Sequence, residues 1–181
     1  MPSFYEITFL PEGSKERHYG SRGNYYVLQD ESHLDLICEP IWCHLCGDFS
    51  EGERLGTLVE IDRELADLHD PSSHLYRMMM MSAGPELDAL LPRESFRSEL
   101  TANAQKRRRW RESRSSPPKC IRCGSTRIVA FNTEFNTDKP VPHPSGSGEL
   151  LVRWLGMCST GWNEWYFSPE GDRLPEGDET E

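Results

Sequence analysis

Apolar and polar positions follow two different periods along this chain. Residues 4–10 alternate, placing Tyr5, Ile7 and Phe9 on one face of a predicted strand that ends at Pro11. Residues 25–28 and 34–38 read as two more strands, separated from their neighbours by Gly20, Gly23 and the turn residues Asp30, Glu31 and Ser32. At Thr57 the period lengthens. Thr57-Leu58-Val59-Glu60 matches a capping box, and Leu58, Ile61, Leu65 and Leu68 recur at helical spacing until Asp70-Pro71. A short helix is predicted over residues 73–82, before Gly84-Pro85. A longer one is predicted from about Pro92 to Arg114, with Phe96, Leu100, Ala104 and Trp110 inward and Pro117-Pro118 as its stop. Strands return at residues 127–132, 150–155 and 164–168, the last entering a turn at 169–172. Residues 140–148 have loop composition.

Composition limits what these elements can build. The chain has 181 residues, 36% of them hydrophobic, and a mean hydropathy of -0.67, so a modest core is expected. Its apolar runs last only a few residues, against the roughly 18–20 needed to span a bilayer. The amino end lacks the basic and apolar regions of a signal peptide, so the expected setting is cytoplasmic, without a membrane. The net charge is -10, but residues 101–127 carry nine basic and one acidic side chain, a +8 segment inside an acidic chain. Residues 175–181 read as a flexible acidic tail.

The chemistry lies in the cysteines. Cys43-His44-Leu45-Cys46-Gly47-Asp48 and Cys120-Ile121-Arg122-Cys123-Gly124-Ser125 share the form C-x-x-C-G followed by a small polar residue. Two thiolates at this spacing can bind one tetrahedral Zn2+ from a tight turn, and the glycine permits a left-handed backbone. These two hexapeptides resemble the knuckles of zinc-ribbon and treble-clef families, in which paired turns clamp a structural zinc. The resemblance implies that Cys43, Cys46, Cys120 and Cys123 hold one structural Zn2+. Simple ribbons have about 15–20 residues between their pairs, whereas 73 lie between Cys46 and Cys120. A helical insertion over about residues 57–115 accounts for the difference, because helices that go out and come back return the chain to its start. Two alternatives stay open: separate sites recruiting Cys38, His44, Cys158 or His143, and reduced or redox-active thiols. Cys38 and Cys158 otherwise read as buried thiols.

A catalytic zinc usually keeps an open position and a nearby base. Four thiolates leave none, and neither H-x-E with P-C-x-x-C nor H-E-x-x-H occurs. Lys106, Arg107, Arg108, Arg109, Arg111 and Arg114, with Trp110 among them, could serve a nucleic acid, an acidic partner, or only a solvated helix end. The four methionines 78–81 could pack or face a partner, though four in a row wrap a helix and leave at least one exposed. Residues 145–148 lack P-loop spacing. Trp154, Trp162, Trp165, Tyr166 and Phe167 read as sheet core. The expectation is an α+β fold: antiparallel strands from both chain ends, pinned by a four-cysteine zinc site, in one domain over residues 1–174 with a helical insertion. Its expected role is a non-enzymatic protein-binding or adaptor module with an unknown protein partner. The alternative is a zinc protein that binds nucleic acid through residues 106–114.

Overall fold

In the computed structural model, which describes residues 3–10, 12–19, 24–81, 93–131, 140–146, 148–157 and 164–175, the initial alternation forms β1 (Ser3–Leu10), with Tyr5 and Ile7 buried. β1 pairs antiparallel with β2 (Lys15–Tyr19) and with β9 (Glu149–Met157), which also pairs with β8 (Val141–Pro142). Strands from the two ends of the sequence therefore share one sheet, in the order β2-β1-β9-β8. β8 interrupts what composition gives as a loop, because Val141 packs against the cluster of Ile7, Phe49, Phe131 and Leu150.

A second sheet, in the order β10-β3-β4, joins β3 (Asn24–Val27), β4 (His33–Asp35) and β10 (Trp165–Phe167). Among the described residues the strand pairings are antiparallel except β3 with β10, which run parallel. The strand expected over residues 34–38 is two strands. Leu36 N–H donates to the Asn24 carbonyl and Arg54 N–H to the Ile37 carbonyl, and β5 (Cys38–Cys43) then begins in a third sheet, ordered β6-β5-β7. β6 is Asp48–Glu53 and β7 is Ile128–Ala130. Pro40 is tolerated inside β5 because β7 pairs only with Ile41, Trp42 and Cys43, beyond the missing N–H.

The third sheet uses its faces differently. Trp42 and Phe49 are cross-strand partners that meet edge to face at 5.1 Å and join the main aromatic cluster. Ile41 and Cys43 point the other way and pack with Cys120, Cys46 and Ile128. On that side Gly52 is fitted beneath Ile41: a Cβ there would lie 2.7 Å from Ile41 Cγ2.

The chain divides into two compact units, one comprising Met1–Arg54 and Ser115–Glu181, the other Leu55–Arg114. The second contains α1 (Leu58–Asp67), α2 (His74–Met80) and α3 (Arg93–Ser113). Both halves of the capping box form: Thr57 Oγ1 accepts from Glu60 N–H at 3.1 Å, and Glu60 Oε2 accepts from Thr57 N–H at 2.6 Å. Ile61, Leu68, Ala104 and Trp110 are buried, whereas Phe96, expected inward, is 42% exposed. α3 offers too few apolar side chains to keep a continuous stripe covered. Met79 and Met80 are half-buried while Met78 and Met81 are exposed. Among the C-terminal aromatics Phe167 is buried, Trp154, Trp165 and Tyr166 are half-buried, and Trp162 lies outside the described residues.

Candidate metal centre

Each knuckle is built by the same local geometry. In the first, Gly47 N–H donates to the Cys43 carbonyl at 2.9 Å; in the second, Gly124 N–H donates to the Cys120 carbonyl at 2.8 Å. Both glycines are left-handed, with φ of 63° and 72°. The first turn closes the β5–β6 hairpin, where Cys43 is opposite Asp48. The second lies between a bridge from Cys120 to Gly52 and the start of β7, whose Ile128 is opposite Cys43. His44 N–H donates to the Arg127 carbonyl, and Ile121 N–H to the Glu51 carbonyl. The sheet thus brings both turns to one end despite their separation in sequence.

Cys43, Cys46, Cys120 and Cys123 converge there, with one sulfur from each and all four sulfurs within 4.8 Å of one another. Cys43 Sγ and Cys123 Sγ are 3.6 Å apart. A zinc–sulfur bond of about 2.3 Å implies sulfur–sulfur edges of roughly 3.8 Å in a tetrahedron, so this donor set fits a tetrahedral metal. Four sulfurs also suit tetrahedral iron. Cys43 and Cys120 are buried, Cys46 is half-buried and Cys123 is exposed.

The thiols influence one another. Burial would raise Cys43, but hydrogen bonds from the Cys46 and Leu45 backbones and from the Cys123 thiol outweigh it and hold it at about 7. Cys46 is pushed well above the usual thiol range, first by burial and then by Cys123 and Cys43. Cys123 is raised too, chiefly by partial desolvation. One thiolate is favoured and further ones are opposed, which a bound dication reverses.

Two neighbours complete the surroundings. Ser50 Oγ lies 3.5 Å from Cys120 Sγ, and Arg122 in the second knuckle pairs with Asp48 after the first at 3.3 Å. The same sheet also buries a carboxylate that the sequence did not single out. Glu53 is 1% exposed; it accepts from the Tyr26 hydroxyl and from Lys119 N–H, each at 2.8 Å. It therefore ties β3 and β6 to the residue just before Cys120.

Among the described residues, Cys38, His44 and His143 do not join this cluster. Cys38 Sγ accepts from Asn24 Nδ2 at 3.2 Å, and burial pushes its thiol up. His44 is exposed. His143 is buried beside Phe9, Trp42 and Phe49, with Nδ1 accepting from Ser145 N–H at 3.0 Å. Cys158 lies outside the described residues. The basic segment is largely engaged within its own unit: Arg107 pairs with Glu64, Arg108 with Asp62 and Glu112, and Arg111 donates to the Gly56 carbonyl. Arg114 is buried over the Trp110 ring at 5.3 Å. Lys106 is half-buried and Arg109 exposed. No helix among the described residues is long and apolar enough to cross a membrane. No family model, curated protein or solved structure matches the chain.

Proposed function

We propose that this chain is a non-enzymatic zinc protein, of zinc-ribbon kind with a helical insertion, that works in the cytoplasm as a protein-binding or adaptor module. The observation that carries this reading is the convergence of four cysteine sulfurs from two knuckles into one cluster. Four protein sulfurs would fill a tetrahedral sphere and leave no place for water or substrate, which supports a structural metal. One knuckle closing the β5–β6 hairpin, and the other running from a bridge on β6 to β7 of the same sheet, support the ribbon kinship. Leu45 at the tip of the first knuckle, and Val59, Met78 and Met81 in the helical unit, are exposed apolar side chains that a protein partner would cover. The internal pairing of Arg107, Arg108 and Arg114 favours a protein over a nucleic acid as partner.

Metal analysis of the purified full chain tests the reading. About one zinc per chain is expected, with metal and folding lost together in Cys43→Ser and in Cys120→Ser. A folded, metal-free chain overturns the metal centre, and stoichiometric iron overturns the assignment to zinc.

A further inference from the structure

The sheet β10-β3-β4 has two unlike faces. Tyr26, Leu34 and Phe167 point inward and are buried, while alternation turns Tyr25, His33, Asp35 and Tyr166 to the other side. The register places Tyr25 beside both Tyr166 and Asp35. Tyr25 stacks on Tyr166 with centroids 6.0 Å apart and planes at 29°, and His33 leans on Tyr166 at 5.2 Å and on Tyr25 at 5.9 Å. Three rings from three strands thus form one platform, with the tyrosines half-buried and His33 exposed.

Carboxylates border it. Asp35 is exposed across from Tyr25, and Glu164, also exposed, accepts from the Tyr166 hydroxyl at 2.8 Å. Electron-rich ring faces attract cations, and adjoining carboxylates strengthen the attraction. The same sheet already holds one such pair, Arg173 over the Trp165 ring at 4.2 Å. A nucleic acid could stack its bases here, but would bring phosphates against these carboxylates on a chain of net charge -10. A purely apolar partner would desolvate Asp35 and Glu164 without pairing them. An arginine side chain meets both demands, since its guanidinium is planar, stacks on rings and donates to carboxylates.

We propose that this face docks an arginine-bearing segment of a partner protein, with guanidinium groups on Tyr25 and Tyr166 between the Asp35 and Glu164 carboxylates. The proposal rests on the protein-binding reading and gives that partner a chemistry.

The test titrates the zinc-loaded full chain with a fluorescein-labelled Gly-Arg-Gly-Arg-Gly-Arg-Gly peptide, following anisotropy and backbone amide shifts. Saturable binding is expected, with shifts centred on residues 24–27, 33–35 and 164–167. Affinity should fall roughly two- to five-fold for each ring removed in Tyr25→Leu and Tyr166→Leu, and the lysine analogue should bind more weakly. Asp35→Asn with Glu164→Gln gives the same readout without touching a buried side chain, set against Glu99→Gln as an exposed charge control on α3. Equal losses in Asp35→Asn and Glu99→Gln would mean that the peptide senses net charge alone, and would overturn the proposal. Unchanged affinity in both leucine variants, shifts centred elsewhere, or oligothymidylate displacing the peptide would do so too. Failure here with a partner still co-purifying removes this face alone; peptide binding with no protein partner ever recovered removes the adaptor reading.

Discussion

Gly47, Gly124 and Gly52 are glycines beside the four-cysteine cluster for two different reasons. At Gly47 and Gly124 a Cβ would meet nothing within 4 Å, but the backbone is left-handed. At Gly52 the space is filled by Ile41. Gly124→Ala should therefore cost about 1–2 kcal/mol through backbone strain and Gly124→Asn less. Gly52→Ala should cost roughly 1–3 kcal/mol through overpacking, with no relief from asparagine. Denaturant unfolding of the zinc-loaded variants checks the order. Glu53 makes a similar distinction between charge and hydrogen bonding. Removing its side chain in Glu53→Ala leaves the Tyr26 hydroxyl and Lys119 N–H without this acceptor, at about 1–3 kcal/mol for each donor left unsatisfied. Glu53→Gln keeps one accepting oxygen and should lose less. Amide exchange at residues 119–121 should quicken in proportion, because Lys119 is held at the entrance to the second knuckle. Nothing in the sequence marked Glu53, since its partners are 27 and 66 positions away. The knuckles were legible because each is a complete chemical statement within six residues.

Elements show the same division between local and distant causes. α1 could be read from its capping box and apolar spacing because both act within a few residues. β6, Asp-Phe-Ser-Glu-Gly-Glu, has little strand propensity and becomes a strand through pairing with β5, while β2, Lys-Glu-Arg-His-Tyr, does so through β1. Neither pairing is encoded in composition, nor is the parallel pairing of β3 with β10. The β1–β2 pairing is joined by charge: Lys15 donates to Glu6 at 2.8 Å and holds the Glu6 carboxyl below its ordinary value, against the opposing effect of desolvation. A lowered folded value makes this contribution present above the unfolded carboxyl range, near pH 4.3, and lost as pH falls through the folded value. Glu6→Gln should thus flatten the acid limb of stability below about pH 4 and leave the neutral region offset by a constant amount. Unfolding midpoints measured across that range give the comparison. An unchanged acid limb would mean that the pair does not stabilise the fold.

At the scale of the molecule, the α+β class and the sheet shared by both ends of the sequence were legible from period and position. The three-ring platform was not, because Tyr25, His33 and Tyr166 come from separate runs that only the fold brings together. The division into two units carries an expectation of its own. The four clustered cysteines belong to one unit, and within that unit Glu53 N–H donates to the Lys119 carbonyl, on either side of the residues between Leu55 and Arg114. Exchanging those residues for a Gly/Ser linker of about six should preserve one bound zinc per chain. It should also ease loop closure by roughly 2 kcal/mol, from the logarithmic dependence of closure entropy on length. Metal content and melting of the shortened chain measure this, and loss of zinc would show that the helices are needed to assemble the site. The Glu53–Lys119 junction then acts as a splice point. If the shortened chain keeps its metal, whatever is written between the two sides, whether helices, another domain or a short tether, is free to change its length and sequence without disturbing the four-cysteine cluster, and new recognition surfaces can be grafted there.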